Sequence, residues 1–246
     1  MQFEGDKIIV KPLTVIIGDN SSGKSYLLFQ ISQTMQESIL LPSERSDILK
    51  LMGYADLPIG DAMFVAKFKR LAEEFNELDL PQDLSEVLGV RKVYKSDNKL
   101  HVLMNNYETY PLSYAPSGVR SALPIVLALN SKSFPTVLID EPEDHLHPRA
   151  QRVVAKMIAD AVKRGKYVAI ATNSDYVFYT LSYVVVLYRK DKEAGLDPNA
   201  VSAYLLKRRG KYTEVIRLKV DEDGMEEEDF MKVTEEMLDE RAKIFD

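Results

Sequence analysis

The segment GDNSSGKS, residues 18–25, constrains the fold of this chain more than any other feature. It matches the phosphate-binding pattern G-x-x-x-x-G-K-[ST]. It also lies between an apolar, β-rich run ending at Ile17 and a helix predicted from Ser25 to about Gln36. The two glycines permit a tight turn whose backbone N–H groups surround a phosphate, and the helix N-terminus adds favourable dipole charge. The sequence therefore predicts an α/β protein with a phosphate site between a strand and a helix.

The side chains of this loop indicate the phosphates of a nucleotide, together with Mg²⁺, as the bound groups. Lys24 is expected to reach the β- and γ-phosphates, and Ser25 is expected to supply its hydroxyl to Mg²⁺. The residues predicted to contact the nucleotide here are Gly18, Asp19, Asn20, Ser21, Ser22, Gly23, Lys24, Ser25 and Tyr26.

A second phosphate-site element is predicted at residues 136–141, where the apolar strand TVLID is followed directly by a second carboxylate. Asp140 is expected to hold Mg²⁺, and Glu141 is expected to orient and deprotonate the attacking water. An acidic pair after a strand is common in loops. The prediction therefore depends on the glycine loop being present in the same chain.

A third element is the pair Ser117-Gly118, which opens a predicted apolar helix some twenty residues before the acidic strand. Such a pair at a helix N-terminus presents free N–H groups and a hydroxyl to an anion, which suits a γ-phosphate. Taken alone, Pro-Ser-Gly is more often only a helix cap. Its position relative to the other two elements favours the phosphate-binding interpretation.

Together these segments resemble ABC-type P-loop ATPases. The resemblance is strongest to the soluble branch that contains the OLD (overcoming lysogenization defect), RecF and SMC (structural maintenance of chromosomes) proteins. The segments that carry the resemblance are GDNSSGKS (18–25), LPSER (41–45), YAPSG (114–118), LIDEPEDHLHP (138–148), ATNSD (171–175) and DGMEEEDFMKV (223–233). The resemblance implies an ABC-type core with a mixed central sheet, and hydrolysis of ATP with Mg²⁺.

The resemblance also implies how the elements cooperate. In such ATPases the Ser-Gly pair acts in trans, so Ser117 and Gly118 would close on ATP held by Lys24 of a second subunit in an ATP-dependent homodimer. Asp144 would lie in the segment that crosses this interface. Where the family usually places a histidine near the γ-phosphate, this chain has Asn173, which donates a hydrogen bond but carries no positive charge. We therefore expect Glu141, Lys24 and Asn173 to be catalytic and hydrolysis to be slow.

The chain is expected to form a single domain over residues 1–246, with a small helical lobe inserted at about 43–90 and an acidic C-terminal helix at about 226–246. Turn-forming residues indicate a β-meander over residues 91–112. Gly18 and Asp140 are 122 positions apart, and no sustained heptads separate them. The sequence thus predicts a compact head without coiled-coil arms.

Two local predictions depend on strand propensity alone. Residues 7–17 indicate two short strands meeting at a bend at Pro12. The run Val184–Leu187 indicates a further strand, because β-branched residues favour extended backbone.

Composition narrows the possible chemistry and location. Cysteine is absent, which excludes disulfides, thiol nucleophiles, iron–sulfur clusters and cysteine–zinc sites.

The net charge of the chain is −6, and it is unevenly distributed. Residues 221–246 hold twelve acidic and three basic residues, a net charge of −9. The remainder of the chain therefore carries about +3 and would tolerate a polyanion. A solvated acidic helix is the favoured interpretation of the tail. With no apolar run of 18 residues and no export pattern at the N-terminus, we expect a cytoplasmic protein without membrane insertion.

Three smaller features keep two interpretations each. Gln30 or Glu44 could sense Mg²⁺ between the lobes, although a salt bridge from Glu44 to Arg45 or Lys50 is favoured. His145 and His147 have metal-ligand spacing, but without a third ligand hydrogen-bonded structural roles are favoured. Basic residues of a predicted hairpin tip, 207–211, would suit either phosphate backbones or solvent.

The function predicted from the sequence is an ATP-dependent dimerising switch in DNA maintenance, DNA repair or defence against foreign DNA. DNA and a partner nuclease are left open as partners, because 246 residues leave no room for the nuclease domain that OLD proteins carry after the ATPase. One alternative is the nucleotide-binding subunit of a membrane transporter. Two segments argue against this alternative: HLHP at residues 145–148 and the short Pro-Ser-Gly segment at residues 116–118. Another is a non-hydrolysing, ATP-gated scaffold, which Asn173 would permit.

Overall fold

The computed structural model describes residues 2–51, 62–97, 99–226 and 229–245. The strands are β1 (Gln2–Gly5), β2 (Leu13–Gly18), β3 (Ser38–Leu41), β4 (Glu77–Asp79), β5 (Val90–Ser96), β6 (Lys99–Met104), β7 (Thr109–Pro111), β8 (Thr136–Asp140), β9 (Tyr167–Ala171), β10 (Val201–Arg209), β11 (Tyr212–Leu218), β12 (Val220–Asp221) and β13 (Gly224–Met225). The helices are α1 (Lys24–Thr34), α2 (Arg45–Leu51), α3 (Ala62–Glu73), α4 (Gln82–Leu88), α5 (Ser117–Asn130), α6 (Pro148–Lys163), α7 (Asp175–Leu187) and α8 (Asp229–Phe245).

The central sheet has seven strands in the order β1-β11-β10-β2-β9-β8-β3. Every neighbouring pair is parallel except β10 and β11, which form an antiparallel hairpin. The predicted α/β fold with a mixed central sheet is therefore confirmed. Because β2, β9 and β8 are adjacent and parallel, their carboxyl ends meet at one edge of the sheet, where open α/β sheets bind ligands.

Helices cover both faces of this sheet. Ile16 of β2 packs with Leu28 and Ile31 of α1 on one face. Val15 and Ile17, whose side chains point the opposite way, belong to the core shared with α5, α6 and α7. Burial on both faces explains why the central strands read as continuous apolar runs rather than as an alternating pattern.

The segment predicted as a helical lobe contains α2, α3 and α4 among its described residues; residues 52–61 lie outside them. Phe64, Phe68 and Leu71 of α3 are buried in the same core as α5, so these helices share the main hydrophobic core. The segment also contributes β4, which joins β5, β6 and β7 in a four-stranded antiparallel sheet. The predicted β-meander is present and is one strand larger than expected. That the chain forms a single domain stays a prediction.

Two of the strand predictions are wrong. The first edge strand is β1, at residues 2–5, and residues 6–12 form no strand before β2 begins at Leu13. The run Val184–Leu187 is the last turn of α7 rather than a strand. The Ser174 hydroxyl caps this helix by accepting a bond from the Val177 N–H (3.2 Å), and tertiary packing of its apolar face outweighs strand propensity.

The C-terminal region forms a helix, α8, as predicted, with residues 227, 228 and 246 outside the described part of the chain. The Phe230 ring packs edge-on against Phe178 of α7, with the ring centroids 5.9 Å apart. Within the described residues, no helix combines the length and apolar character that crossing a membrane requires.

Candidate active site

The glycine loop connects β2 to α1, as the sequence predicts. Gly18 and Gly23 have φ angles of 142° and 97°, which a side chain would strain. A Cβ atom at Gly18 would also lie 2.2 Å from the Leu206 carbonyl oxygen of the neighbouring strand β10. The glycine at position 18 is therefore required both by the turn and by the close packing of β10 behind it.

Lys24, the first residue of α1, is held by the loop that precedes it. Its Nζ donates hydrogen bonds to the Gly18 carbonyl (2.7 Å) and the Asp19 carbonyl (2.9 Å). Burial lowers the pKa of this ammonium group, and the negative charges of Glu141 and Asp140 oppose the shift. The lysine cation is thus fixed at the edge of the sheet that carries the acidic pair.

Ser25 and Asp140 meet across this edge, because the Ser25 hydroxyl hydrogen-bonds to the Asp140 carboxylate. Burial raises the pKa of Asp140, while the bond from Ser25 opposes the shift. Among the described side chains, Asp140 Oδ1 and Ser22 Oγ are the buried polar atoms without a hydrogen-bond partner. Such atoms are costly to bury unless a ligand satisfies them.

This donor set fits Mg²⁺. Mg²⁺ prefers hard oxygen ligands and is usually held by one or two carboxylates together with substrate phosphates. The Ser25 hydroxyl and Asp140 Oδ1 are such oxygens, and they lie beside the loop that would hold the phosphates. No group of three or more His, Asp or Glu residues among those described could form an all-protein metal site.

Glu141 follows β8 with a φ of 47°, an unusual left-handed conformation for a non-glycine residue. Its N–H donates to the Ala171 carbonyl at the end of β9 (2.8 Å). Asn173, two residues beyond that carbonyl, donates from Nδ2 to Glu141 Oε1 at 3.0 Å. The structure thus brings together Lys24, Ser25, Asp140, Glu141 and Asn173, residues from three separate segments of the chain.

Glu143 is a member of this cluster that the sequence did not reveal. Its two carboxylate oxygens accept hydrogen bonds from the Thr172 hydroxyl and the Asn173 N–H, both at 2.7 Å. Burial raises the pKa of Glu143, and these hydrogen bonds oppose the shift. Its place in the segment DEPED was the available signal, but only the structure shows that its carboxylate holds the loop after β9.

Asn173→Ala is expected to lower the rate of ATP hydrolysis about tenfold, because the amide's hydrogen bond to a charged carboxylate is lost. Binding of Mg-ATP should be nearly unchanged. The measurement is steady-state phosphate release, with Asn199→Ala, an exposed asparagine distant from these residues, as the matched control. Equal rates of phosphate release in the two variants would show that Asn173 does not contribute to hydrolysis.

The other loop residues have diverse surroundings. Asn20 and Ser21 are exposed, and Ser21 has a φ of 62°. Tyr26, which the sequence assigns to the nucleotide, stacks on the Phe3 ring of β1, with the centroids 6.1 Å apart. Phe3 was not predicted from the sequence, because β1 itself was not.

Ser117 and Gly118 form the N-terminal end of α5, and no side chain caps this end. Ser117 is exposed. A Cβ atom at Gly118 would lie 3.1 Å from the His145 carbonyl oxygen, so the glycine allows a close approach to the segment after the acidic pair. None of the hydrogen bonds within the described residues joins this pair to the glycine loop of the same chain.

The structure bears on the two candidates for sensing Mg²⁺, Glu44 and Gln30. Arg45 is not the salt-bridge partner of Glu44, because its guanidinium is buried and donates to backbone carbonyls and to Ser121. The charge of Glu44 raises the pKa of Asp140, although burial has the larger effect. Glu44 therefore lies near the acidic pair, as the Mg²⁺-sensing interpretation requires. Gln30 is an exposed residue of α1.

The two histidines hold structural positions. His145 Nε2 lies 3.5 Å from Asp144 Oδ2, and His147 Nδ1 accepts the Arg149 N–H at the start of α6. At the hairpin between β10 and β11, Arg209 pairs with Glu214 at 2.8 Å. The Thr213 hydroxyl of this hairpin donates to the Ser22 carbonyl (2.8 Å), so β11 supports the glycine loop.

Comparisons with known proteins found one family model that matches part of the chain and several solved structures with a similar fold. A family described as an AAA ATPase domain matches residues 61–178, which include the Ser-Gly pair, the acidic strand and Asn173. Among curated proteins, none matches the chain significantly in sequence.

Solved structures define the fold. An SMC head bound to the C-winged-helix domain of ScpA superposes with a TM-score of 0.50 at 12% identity, covering 86% of this chain and 92% of that one. The SMC head domain from Thermotoga maritima gives a TM-score of 0.49 at 12% identity, covering 87% and 93%. The first of these superpositions shows that the chain has the fold of an SMC head.

Proposed function

We propose that this protein binds Mg-ATP on the loop of residues 18–25 and hydrolyses it with Glu141 as the general base. The observation that carries the proposal is the convergence of Lys24, the unpartnered Asp140 Oδ1 and Glu141 at the carboxyl ends of β2 and β8. A cation, a free metal-binding oxygen and a carboxylate base are the groups that phosphoryl transfer to water requires.

Each residue has a distinct part in this mechanism. The loop N–H groups and Lys24 bind the phosphates, and Lys24 exchanges its bonds to the Gly18 and Asp19 carbonyls for phosphate oxygens. Ser25 and Asp140 would hold Mg²⁺, which when bound neutralises charge on the phosphates. Glu141 accepts the proton of the attacking water. Asn173 keeps the Glu141 carboxylate in place through its amide hydrogen bond.

We further propose that ATP joins two copies of the chain. The N-terminal end of α5 is uncapped and Ser117 is exposed, so its N–H groups are available to an anion outside the subunit. The γ-phosphate on a second copy supplies that anion, and two-fold symmetry gives two ATP molecules in one interface. Hydrolysis removes the shared charge, so the dimer would separate with ADP.

The dimer is tested with Ser117→Arg in a Glu141→Gln background that retains ATP. The bulky side chain should prevent dimer formation in sedimentation velocity, while the affinity for Mg-ATP stays within about threefold, because Ser117 lies outside the glycine loop of its own subunit. Ser113→Arg, four residues earlier, is the matched control. A dimer that persists in the Ser117→Arg variant would contradict this interface.

The cellular role we propose, DNA maintenance or defence against foreign DNA, rests on the sequence resemblance to SMC, RecF and OLD proteins. Fold alone does not carry such a role. A scaffold that binds ATP without hydrolysing it is the alternative that Asn173 favours, because the site lacks a histidine cation. Measured phosphate release by the wild-type protein separates the two.

A further inference from the structure

Arg45 is the largest fully buried side chain among the described residues. It opens α2, in the segment LPSER, and its guanidinium is directed toward the loop after β8 rather than toward solvent. Toward the acidic pair, Nη1 donates to the Asp140 carbonyl (2.8 Å) and Nη2 donates to the Glu141 carbonyl (3.0 Å). Toward α5, Nε donates to the Ser121 carbonyl and Nη2 donates to Ser121 Oγ, both at 2.9 Å. Nη1 also donates to the Pro42 carbonyl (3.1 Å).

These bonds connect three parts of the proposed site. Asp140 and Glu141 are the metal-binding and base candidates, and Arg45 holds the carbonyl oxygen of each. Ser121 lies one helical turn after Ser117 on α5. The Ser121 hydroxyl donates in turn to the Asp144 carbonyl at 2.6 Å, so α5 and the loop after β8 are bonded both directly and through Arg45.

The backbone of Glu141 explains why such a support is needed. Its φ of 47° is a strained conformation for a non-glycine residue, and it persists only where neighbours fix it. The Ala171 carbonyl holds its N–H and Arg45 holds its carbonyl, so the peptide groups on both sides of Glu141 are fixed. That conformation aims the carboxylate at Asn173.

The charge of Arg45 also suits this place. Burial lowers the pKa of Arg45 to about 10, and the negative charges of Asp144, Glu143, Asp140 and Glu141 oppose the shift. Because a group with a pKa of about 10 stays protonated near neutral pH, the guanidinium remains a cation in the field of these four carboxylates.

We propose that Arg45 is a positioning residue for ATP hydrolysis: it fixes the backbone of Glu141 and ties it to α5, so that the base and the Ser117-Gly118 end of that helix move as one unit. The inference rests on the proposed hydrolysis. Arg45 would act through Glu141, without touching ATP, so its loss should slow the chemical step and spare binding.

The test compares Arg45→Lys with the wild-type protein in single-turnover hydrolysis and in Mg-ATP titration. Lysine keeps the positive charge, but its single ammonium group cannot bond Pro42, the acidic pair and Ser121 at once as the planar guanidinium does. We therefore expect the hydrolysis rate to fall at least about tenfold and the Kd for Mg-ATP to change less than about threefold. The control is Lys166→Met. Lys166 also donates to two carbonyls, Ser131 and Phe134 (2.8 and 2.7 Å), but it lies just before β9, and its acceptors lie just before β8, at the strand ends opposite the acidic pair.

Thermal unfolding of both variants separates loss of fold from loss of positioning. Equal hydrolysis rates in Arg45→Lys and Lys166→Met at matched stability would overturn the inference while leaving the proposed function intact. If Arg45→Lys does not fold, the test is made with Ser121→Ala, which removes one acceptor of Arg45 and the hydrogen bond to the Asp144 carbonyl. A fall of about threefold or more in the hydrolysis rate of Ser121→Ala supports the inference. An unchanged hydrolysis rate overturns it. A wild-type protein without hydrolysis overturns the proposed function itself.

Discussion

Replacement of Glu141 by Gln is expected to lower the rate of ATP hydrolysis by about 100-fold or more, because glutamine keeps the size and hydrogen bonding of glutamate but accepts no proton. Asn173 Nδ2 can still donate to the glutamine side-chain oxygen, so the loop after β9 should stay in place. Binding of Mg-ATP should survive, since neither the glycine loop nor Lys24 is changed.

The measurement is phosphate release under single-turnover conditions, with Mg-ATP affinity determined on the same preparation. Glu193→Gln, at an exposed position outside the site, is the control for the loss of one carboxylate. An unchanged release rate in Glu141→Gln would assign the base to another group. Glu143 would then be the next residue to test, because its carboxylate lies in the same hydrogen-bonded cluster.

Lys24→Ala is expected to weaken Mg-ATP binding by about 100-fold or more, equivalent to at least about 2.7 kcal/mol of binding free energy. Lys24 contributes the side-chain cation of the glycine loop, and its charge-assisted bonds to phosphate oxygens have no replacement among the other loop side chains. The fold should persist, because the two carbonyls that the Lys24 ammonium group holds belong to Gly18 and Asp19, six and five positions away in the same segment of the chain.

Isothermal titration with Mg-ATP measures this loss, and circular dichroism verifies the fold. Lys69→Ala, which removes an exposed lysine of α3, is the matched control and should bind as the wild-type protein does. Unchanged affinity in a folded Lys24→Ala variant would contradict the assignment of residues 18–25 as the nucleotide site.

The sequence was most informative where function depends on a short segment. The spacing of Gly18, Gly23 and Lys24 specifies a turn followed by a helix, and an apolar strand ending at Asp140 specifies the neighbouring carboxylate. Parallel pairing then brings Asp140 and Glu141 beside the loop, because β2, β9 and β8 are neighbours with the same direction. The glycine loop and the acidic pair can therefore be predicted from short segments of sequence and from the parallel pairing of neighbouring strands.

The remaining parts depend on contacts between distant residues. Arg45 resembled an exposed salt-bridge partner, but its position at the start of α2 directs the guanidinium into carbonyls 95 and 96 positions away. Glu143 similarly acquires its role through Thr172 and Asn173, which belong to the loop after β9. Hydrogen-bond partners separated by so many residues leave no periodic signal in the sequence.

The wrong strand assignment at Val184–Leu187 and the missed strand β1 both arise because contacts outweigh local composition. Tyr183 and Leu187 of α7 are exposed while Leu181 and Val185 are buried, so burial follows a helical period that the β-branched run conceals. β1 is an edge strand whose residues are mostly exposed, and its pairing with β11 rather than its own composition makes it a strand.

We propose that ATP, bound and then hydrolysed, switches two copies of this chain between associated and separate states. Sedimentation velocity during ATP consumption tests it most directly, with wild type and Glu141→Gln run side by side. We predict that both form dimers when Mg-ATP is added, that the wild-type dimer dissociates as ATP is converted to ADP, and that the Glu141→Gln dimer persists. Sedimentation of both proteins as the same species with ATP and with ADP would contradict the claim.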